Sequence, residues 1–155
     1  MNIAMKWLVK CAALMAIALP CFAADAERGT ADEAVAMVKQ AVAVLKKDGK
    51  EKLFAEVNNP AGQFVKKDMY VFIHTLDGLC VAHGGNPKLV GKNLIDLKDS
   101  TGYEMVKGFV EVANTKGKGW VDYKWPNKAT KEVEKKSTYL EKSGDLIISV
   151  GVYSK

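Results

Sequence analysis

The spacing of apolar positions changes several times along this chain, and each change marks a segment. Cys11 to Leu19 is an unbroken apolar run behind Lys6 and Lys10, and Pro20 ends it. Small residues at Cys21 and Ala23 complete the pattern of a secretory signal peptide over 1–23, cleaved after Ala23. The run is about half of the roughly 20 residues that span a bilayer. From Ala31 to Lys47 the apolar positions take helical spacing at Val35, Val38, Val42 and Leu45, with Ala34 and Ala41 alongside. Thr30 or Asp32 caps this helix and Gly49 stops it. Lys50 to Val57 predicts a second, short helix before Asn58-Asn59-Pro60.

The period then shortens. "DMYVFIHTLDGLCVAHGG" is rich in β-branched and aromatic residues around Asp77-Gly78, which predicts a hairpin with a two-residue turn. That turn sets Leu76 against Leu79, His74 against Val81 and Phe72 against His83, all on one face. Ile73, Thr75, Cys80 and Ala82 take the other. A long, turn-rich connection follows, and Thr101 to Thr115 predicts a helix with Met105, Phe109 and Val112 on its apolar side. Three more strands close the chain: Gly119 to Trp125, Val133 to Lys142 and Asp145 to Tyr153. The last is almost wholly apolar, as suits a central strand covered on both faces. Hairpin-linked strands favour an antiparallel sheet. Five short strands with a long N-terminal helix give an α+β class.

Composition narrows the function. Cleavage removes Cys11 and Cys21, so residues 24–155 form a single domain whose one cysteine, Cys80, is expected to be a buried thiol. Cleavage also removes two lysines, and the formal charge falls from 23 − 18 = +5 to 21 − 18 = +3. That bias is too small to indicate a nucleic-acid partner. Outside the signal segment nothing is apolar and long enough to cross a membrane. The expected location is periplasmic.

No nucleophile elbow, phosphate loop, dinucleotide fingerprint or haem-attachment motif appears, so no enzyme, cofactor or metal is expected. His74 and His83 lie diagonally on the hairpin, within reach of each other. Three readings stay open: a metal pair with Asp68 or Asp122, two polar sheet positions, or imidazoles lining an anion pocket. In "GWVDYKWPNKATKEVEKKSTYLEK", Val121, Tyr123 and Trp125 share one face of a strand, and Lys136, Thr138 and Leu140 share one face of the next. If Tyr123 pairs with Lys136, an ammonium joins aromatic side chains in a box suited to a small carboxylate. Lys131, Lys135 and Lys142 read as a solvated edge.

Taken together, "VFIHTLDGLCVAHGGNPKLVGKNLIDLKDSTG", "GWVDYKWPN", "KKSTYLEK" and "VGVYSK" resemble the single Cache domains of the Cache 2 type, in the same order. The resemblance runs from about Ala31 to Tyr153. It implies a PAS-like fold, with a long N-terminal helix on one face of the sheet and a small-molecule pocket on the other. The family consists of extracytoplasmic sensors in chemoreceptors and histidine kinases, often for small organic acids such as acetate, lactate or pyruvate. Carried over, it makes Lys136 the carboxylate contact and Tyr123, Trp125, His83 and Tyr139 pocket lining. Met105 and Phe109 become walls, and His74 is within reach. Lys142-Ser143-Gly144-Asp145 departs from the family's usual segment there and is expected to reshape the pocket's lip. Family receptors carry transmembrane helices and a signalling module. This chain is expected to be a free-standing binding domain, monomer or homodimer, that works with a membrane receptor or kinase. The alternatives are a protein-interaction module, or metal binding through His74 and His83.

Overall fold

The computed structural model describes residues 27–154. The expected signal peptide lies outside them. Helix α1 (Ala31–Val57) opens with a capping box, in which Glu33 N donates to Thr30 Oγ1 at 3.2 Å and Thr30 N donates to Glu33 Oε2 at 3.0 Å. The chain kinks at Gly49, with φ 85° and ψ 176°, where the sequence predicts one helix to end and another to begin. Strands β1 (Val65–Lys66), β2 (Met69–Thr75) and β3 (Cys80–His83) follow. A long connection carrying one 3-10 turn, Pro87–Leu89, leads to α2 (Met105–Thr115). Strands β4 (Lys118–Pro126), β5 (Val133–Ser143) and β6 (Leu146–Ser154) complete the fold.

All pairings are antiparallel, in the order β1-β2-β6-β5-β4, with β3 on the outer side of β2. The apolar β6 is central, as its sequence predicts. Each face of the sheet has its own core. Met69, Val71 and Ile73 of β2 join Ala34, Val38 and Ala41 of α1 on one side. Tyr70 and Phe72, the alternate residues, join Met105 and Phe109 of α2 on the other. The architecture is α+β and PAS-like, with the long helix packed on one face.

Two local predictions need correction. The β2–β3 turn has three residues, not two: Thr75 N donates to Leu79 O at 2.9 Å, and Gly78 takes the positive φ of 90° alone. A three-residue loop with glycine in the left-handed region is the next most common hairpin closure. A bulge between Ile73 and His74 then absorbs the extra residue. Phe72 still pairs with His83, but His74 pairs with Cys80. Cys80 therefore packs with the α2-side core and Val81 with the α1-side core, the reverse of the predicted faces. The second helix starts at Met105 rather than Thr101. Asp99 Oδ1 accepts from Thr101 N at 2.8 Å and Tyr103 N at 3.0 Å, so local side-chain bonds hold that stretch as a turn.

Gly151 on β6 is required by packing. A Cβ there would collide with Lys136 Cε and lie 2.6 Å from Thr138 Oγ1. Gly151→Ala is expected to cost about 1–3 kcal/mol through overpacking, a fall of roughly 3–10 °C in thermal midpoint for a domain of this size. Calorimetric melting checks it, and an unchanged midpoint would contradict the close approach of Lys136 to β6.

Candidate functional site

Between the sheet and its roof of α2 and the long connection lies a cavity of about 20 Å³. That is room for one or two water-sized atoms. Tyr70, Phe72 and His74 reach it as alternate residues of β2, and Tyr123 and Trp125 as alternate residues of β4. Met105 and Phe109 come from α2, His83 from β3 and Lys136 from β5. Apolar residues of the long connection, Leu89, Leu94 and Leu97, close the roof.

Lys136 is 1 % exposed. The predicted register holds: Tyr123 pairs with Lys136 across β4 and β5. The ammonium bonds elsewhere, however. It donates to Tyr70 Oη at 2.7 Å, while the Tyr123 hydroxyl is paired with Thr138 Oγ1 at 3.0 Å. Nζ lies 4.1 Å from the Tyr70 ring centroid, 4.7 Å from that of Tyr153 and 5.4 Å from that of Phe72. Such faces attract a cation, more strongly when water is excluded. Tyr153 donates to Pro126 O at 3.1 Å, which leaves its oxygen to accept from Tyr70 at 3.4 Å. Among the described residues no carboxylate forms an ion pair with Lys136. Burial pulls the ammonium's pKa down, against the opposing influence of Tyr70 and the charge of Asp68. Burial pushes the Tyr70 phenol the other way, but the nearby Lys136 outweighs it and leaves the phenol below its usual value.

The two histidines differ. His83 Nδ1 accepts from Gly85 N at 3.1 Å and Asn86 N at 2.8 Å, which assigns the imidazole proton to Nε2. Phe72 stacks on that ring at 5.4 Å. His74 is 2 % exposed, stands edge-on to Phe72 at 5.7 Å, and has no hydrogen-bond partner at either nitrogen among the described residues. Desolvation holds His74 down to about 4. Desolvation, reinforced by the charge of Lys136, holds His83 down to about 3. Both are neutral imidazoles near pH 7. Three or more metal-ligating side chains gather nowhere among the described residues. Asp68 accepts from Gly29 N at 2.7 Å and Asp122 from the Ser137 hydroxyl, so neither stands with the histidines. The Cys80 thiol is buried, its pKa raised by desolvation to about 11.

Seven of the eight residues expected at the pocket line the cavity: Lys136, Tyr123, Trp125, His83, His74, Met105 and Phe109. Tyr139 does not. It lies on the α1 side of the sheet, beside Trp120 at 5.3 Å, and donates to Glu141 at 2.8 Å. Alternation along β5 had already set it opposite Lys136, and the family resemblance pointed the wrong way. The turn at Lys142–Asp145 is no part of the cavity's lip either. It closes the β5–β6 hairpin, and Asp145 pairs there with Lys50 at 2.7 Å. Tyr70 is the principal residue the sequence reading missed. Its signal was the two-residue period of β2, which puts it on the face of Phe72 and His74.

The sequence model of the single Cache domain 2 family matches residues 23–155. The methyl-accepting chemotaxis protein McpP of Pseudomonas putida is 32% identical over 88 residues, 56% of this chain. The match spans only 16% of that protein's length. Among solved structures, a Cache chemosensory domain studied for carboxylic acid recognition aligns with TM-score 0.71 and 24% identity, covering 80% of this chain and 92% of that one. A methyl-accepting chemotaxis protein from Vibrio parahaemolyticus aligns with TM-score 0.69 and 24% identity, covering 79% of this chain and 86% of that one. At these identities the structural likeness speaks for the fold. The family match, the sheet with its long flanking helix and the cavity on the opposite face together establish that this chain belongs to the single Cache 2 family, a non-catalytic, ligand-binding sensor fold.

Proposed function

We propose that the domain binds a small organic carboxylate outside the cytoplasm and that Lys136 is its anion contact. One observation carries the reading: the Lys136 ammonium is sealed into the cavity wall with a phenol as its hydrogen-bond partner. A buried cation without a counter-charge is costly, and a ligand carboxylate would supply the missing charge. The Nε2–H of neutral His83 is a second donor for it. The carboxylic acid recognition of the structurally similar Cache domain supports the same class.

Size limits the affinity. At about −1.5 kcal/mol per heavy atom, a four-atom acid reaches roughly −6 kcal/mol, a Kd of tens of micromolar. The cavity of about 20 Å³ is tight for four heavy atoms. Binding therefore asks the wall to yield, and half-buried Trp125 and flexible Met105 are the members best able to do so. The small volume also favours a second reading, in which the domain docks on a membrane receptor or on itself with the pocket closed. A dimer in solution that ignores every small acid up to millimolar concentration would select that reading.

Lys136→Met separates binding from stability. Carboxylate binding by titration calorimetry is expected to weaken at least tenfold, while the thermal midpoint of the ligand-free protein stays level or rises, because a buried charge has been replaced by an isosteric apolar chain. Undiminished binding would remove Lys136 from the site.

The histidines give a pH dependence of known sign. Both have pKa values below the ordinary histidine value of about 6.5. Between about pH 6.5 and 4 the unfolded chain binds more protons than the folded one. The stability is thus fully present above about pH 6.5 and is lost as the pH falls toward 4, by up to about 1.4 kcal/mol per pH unit for each histidine. Urea unfolding at pH 7, 6 and 5 is expected to follow that slope, with a shallower one in His74→Phe. Equal slopes in both proteins would contradict the neutral, buried state of His74.

A further inference from the structure

We propose that His74 is a second polar anchor in the cavity and that the ligand is a small carboxylic acid bearing a hydroxyl or oxo group, not an unsubstituted acid. This rests on the carboxylate reading above and sharpens it.

The observation is an unmet pair of hydrogen-bonding atoms. His74 sits mid-strand in β2, 2 % exposed, and lines the cavity. Neither Nδ1 nor Nε2 has a partner among the described residues. A neutral imidazole has one N–H and one lone pair, so one donor and one acceptor are both left open. Buried polar side chains are nearly always bonded, and the few that are not point to a missing partner. His83 shows the contrast, because its Nδ1 accepts from two backbone amides. Ser149 Oγ, fully buried on the residue paired with Phe72 across β2 and β6, is likewise unpartnered among the described residues but does not line the cavity.

Position selects the ligand chemistry. Lys136 and His74 both flank the Phe72 ring, at 5.4 Å and 5.7 Å from its centroid. A carboxylate oxygen and a hydroxyl on the adjacent carbon, with one hydrogen bond at each end, reach about 8 Å in all, within the roughly 11 Å that those two distances allow at most between Lys136 Nζ and the His74 ring. The carboxylate belongs at the cationic end. The other end faces an imidazole that can donate to an oxo group or exchange both roles with a hydroxyl. A methyl or methylene there leaves the imidazole unbonded. A metal is a poorer occupant, because no carboxylate of the described residues stands with the two histidines and one nitrogen of His83 is already used.

Titration calorimetry of the purified protein with propionate, lactate and pyruvate tests this, since the three acids share a three-carbon frame. Lactate or pyruvate is expected to bind at least tenfold more tightly than propionate. In His74→Phe the ratio of lactate or pyruvate affinity to propionate affinity is expected to shrink below threefold. Should that variant not fold, nitrogen-15 NMR of the wild-type imidazoles serves instead: His74 resonances shift with lactate or pyruvate and not with propionate. Propionate binding as tightly as the other two overturns the inference and leaves the carboxylate reading standing, as does a preference that survives in His74→Phe or comes without a His74 shift. Failure of all three acids to bind overturns the carboxylate reading and this inference with it.

Discussion

An ammonium group held out of water is the constraint around which the cavity face of the sheet is arranged. Lys136 gives up hydration on β5, and the surrounding residues return part of what is lost: one phenol oxygen at 2.7 Å and three aromatic faces within 5.4 Å. Gly151 exists to let the lysine stem lie across β6. Tyr70 accepts from the ammonium and passes its own proton toward Tyr153, which is fixed by Pro126 O. What this set lacks is a full negative charge. At an effective dielectric of 20, unit charges 4 Å apart attract by about 4 kcal/mol before desolvation, the scale of interaction that a counter-charge beside Lys136 would add.

The sheet keeps a purely apolar core and the buried polar groups beside the cavity on opposite faces. The α1 side is apolar and closely packed, with Val38, Ala41, Val71, Ile73 and Ile148 wholly buried. The α2 side carries the polar groups that a stable core would avoid: His74, His83 and Lys136. β2 serves both sides at once, because its alternate residues are Met69, Val71 and Ile73 against Tyr70, Phe72 and His74. Ordering of the entry to the fold also reaches this region. Arg28 forks onto Glu134 at 2.8 and 2.9 Å, and Gly29 N donates to Asp68 at 2.7 Å, which ties the segment before α1 to the start of β5 and to the residue before β2.

The single Cache 2 family match goes with a separation of the two faces: a helix-backed apolar core behind the sheet, and a wall of helix, loop and aromatic side chains in front of it.

The sequence by itself determined what is local or periodic. Helical spacing gave α1 and its interruption at Gly49. Alternation gave β4 and β5 and set Lys136 on one face with Thr138 and Leu140, and an almost unbroken apolar run gave β6. The pairing of Tyr123 with Lys136 was within reach because both strands are strongly alternating and share a single connection. Tertiary structure decided the rest, and the reason is distance along the chain. The partner of Lys136 is Tyr70, 66 residues away. No spacing rule links residues so far apart, and only the placement of β6 between β2 and β5 brings their faces together. The faces of Cys80 and Val81 depended on a bulge, where one added residue reverses every side chain beyond it. Tyr139 was assigned by family likeness against its own alternation, and the alternation prevailed because a strand in a fully paired sheet cannot turn one side chain through the backbone.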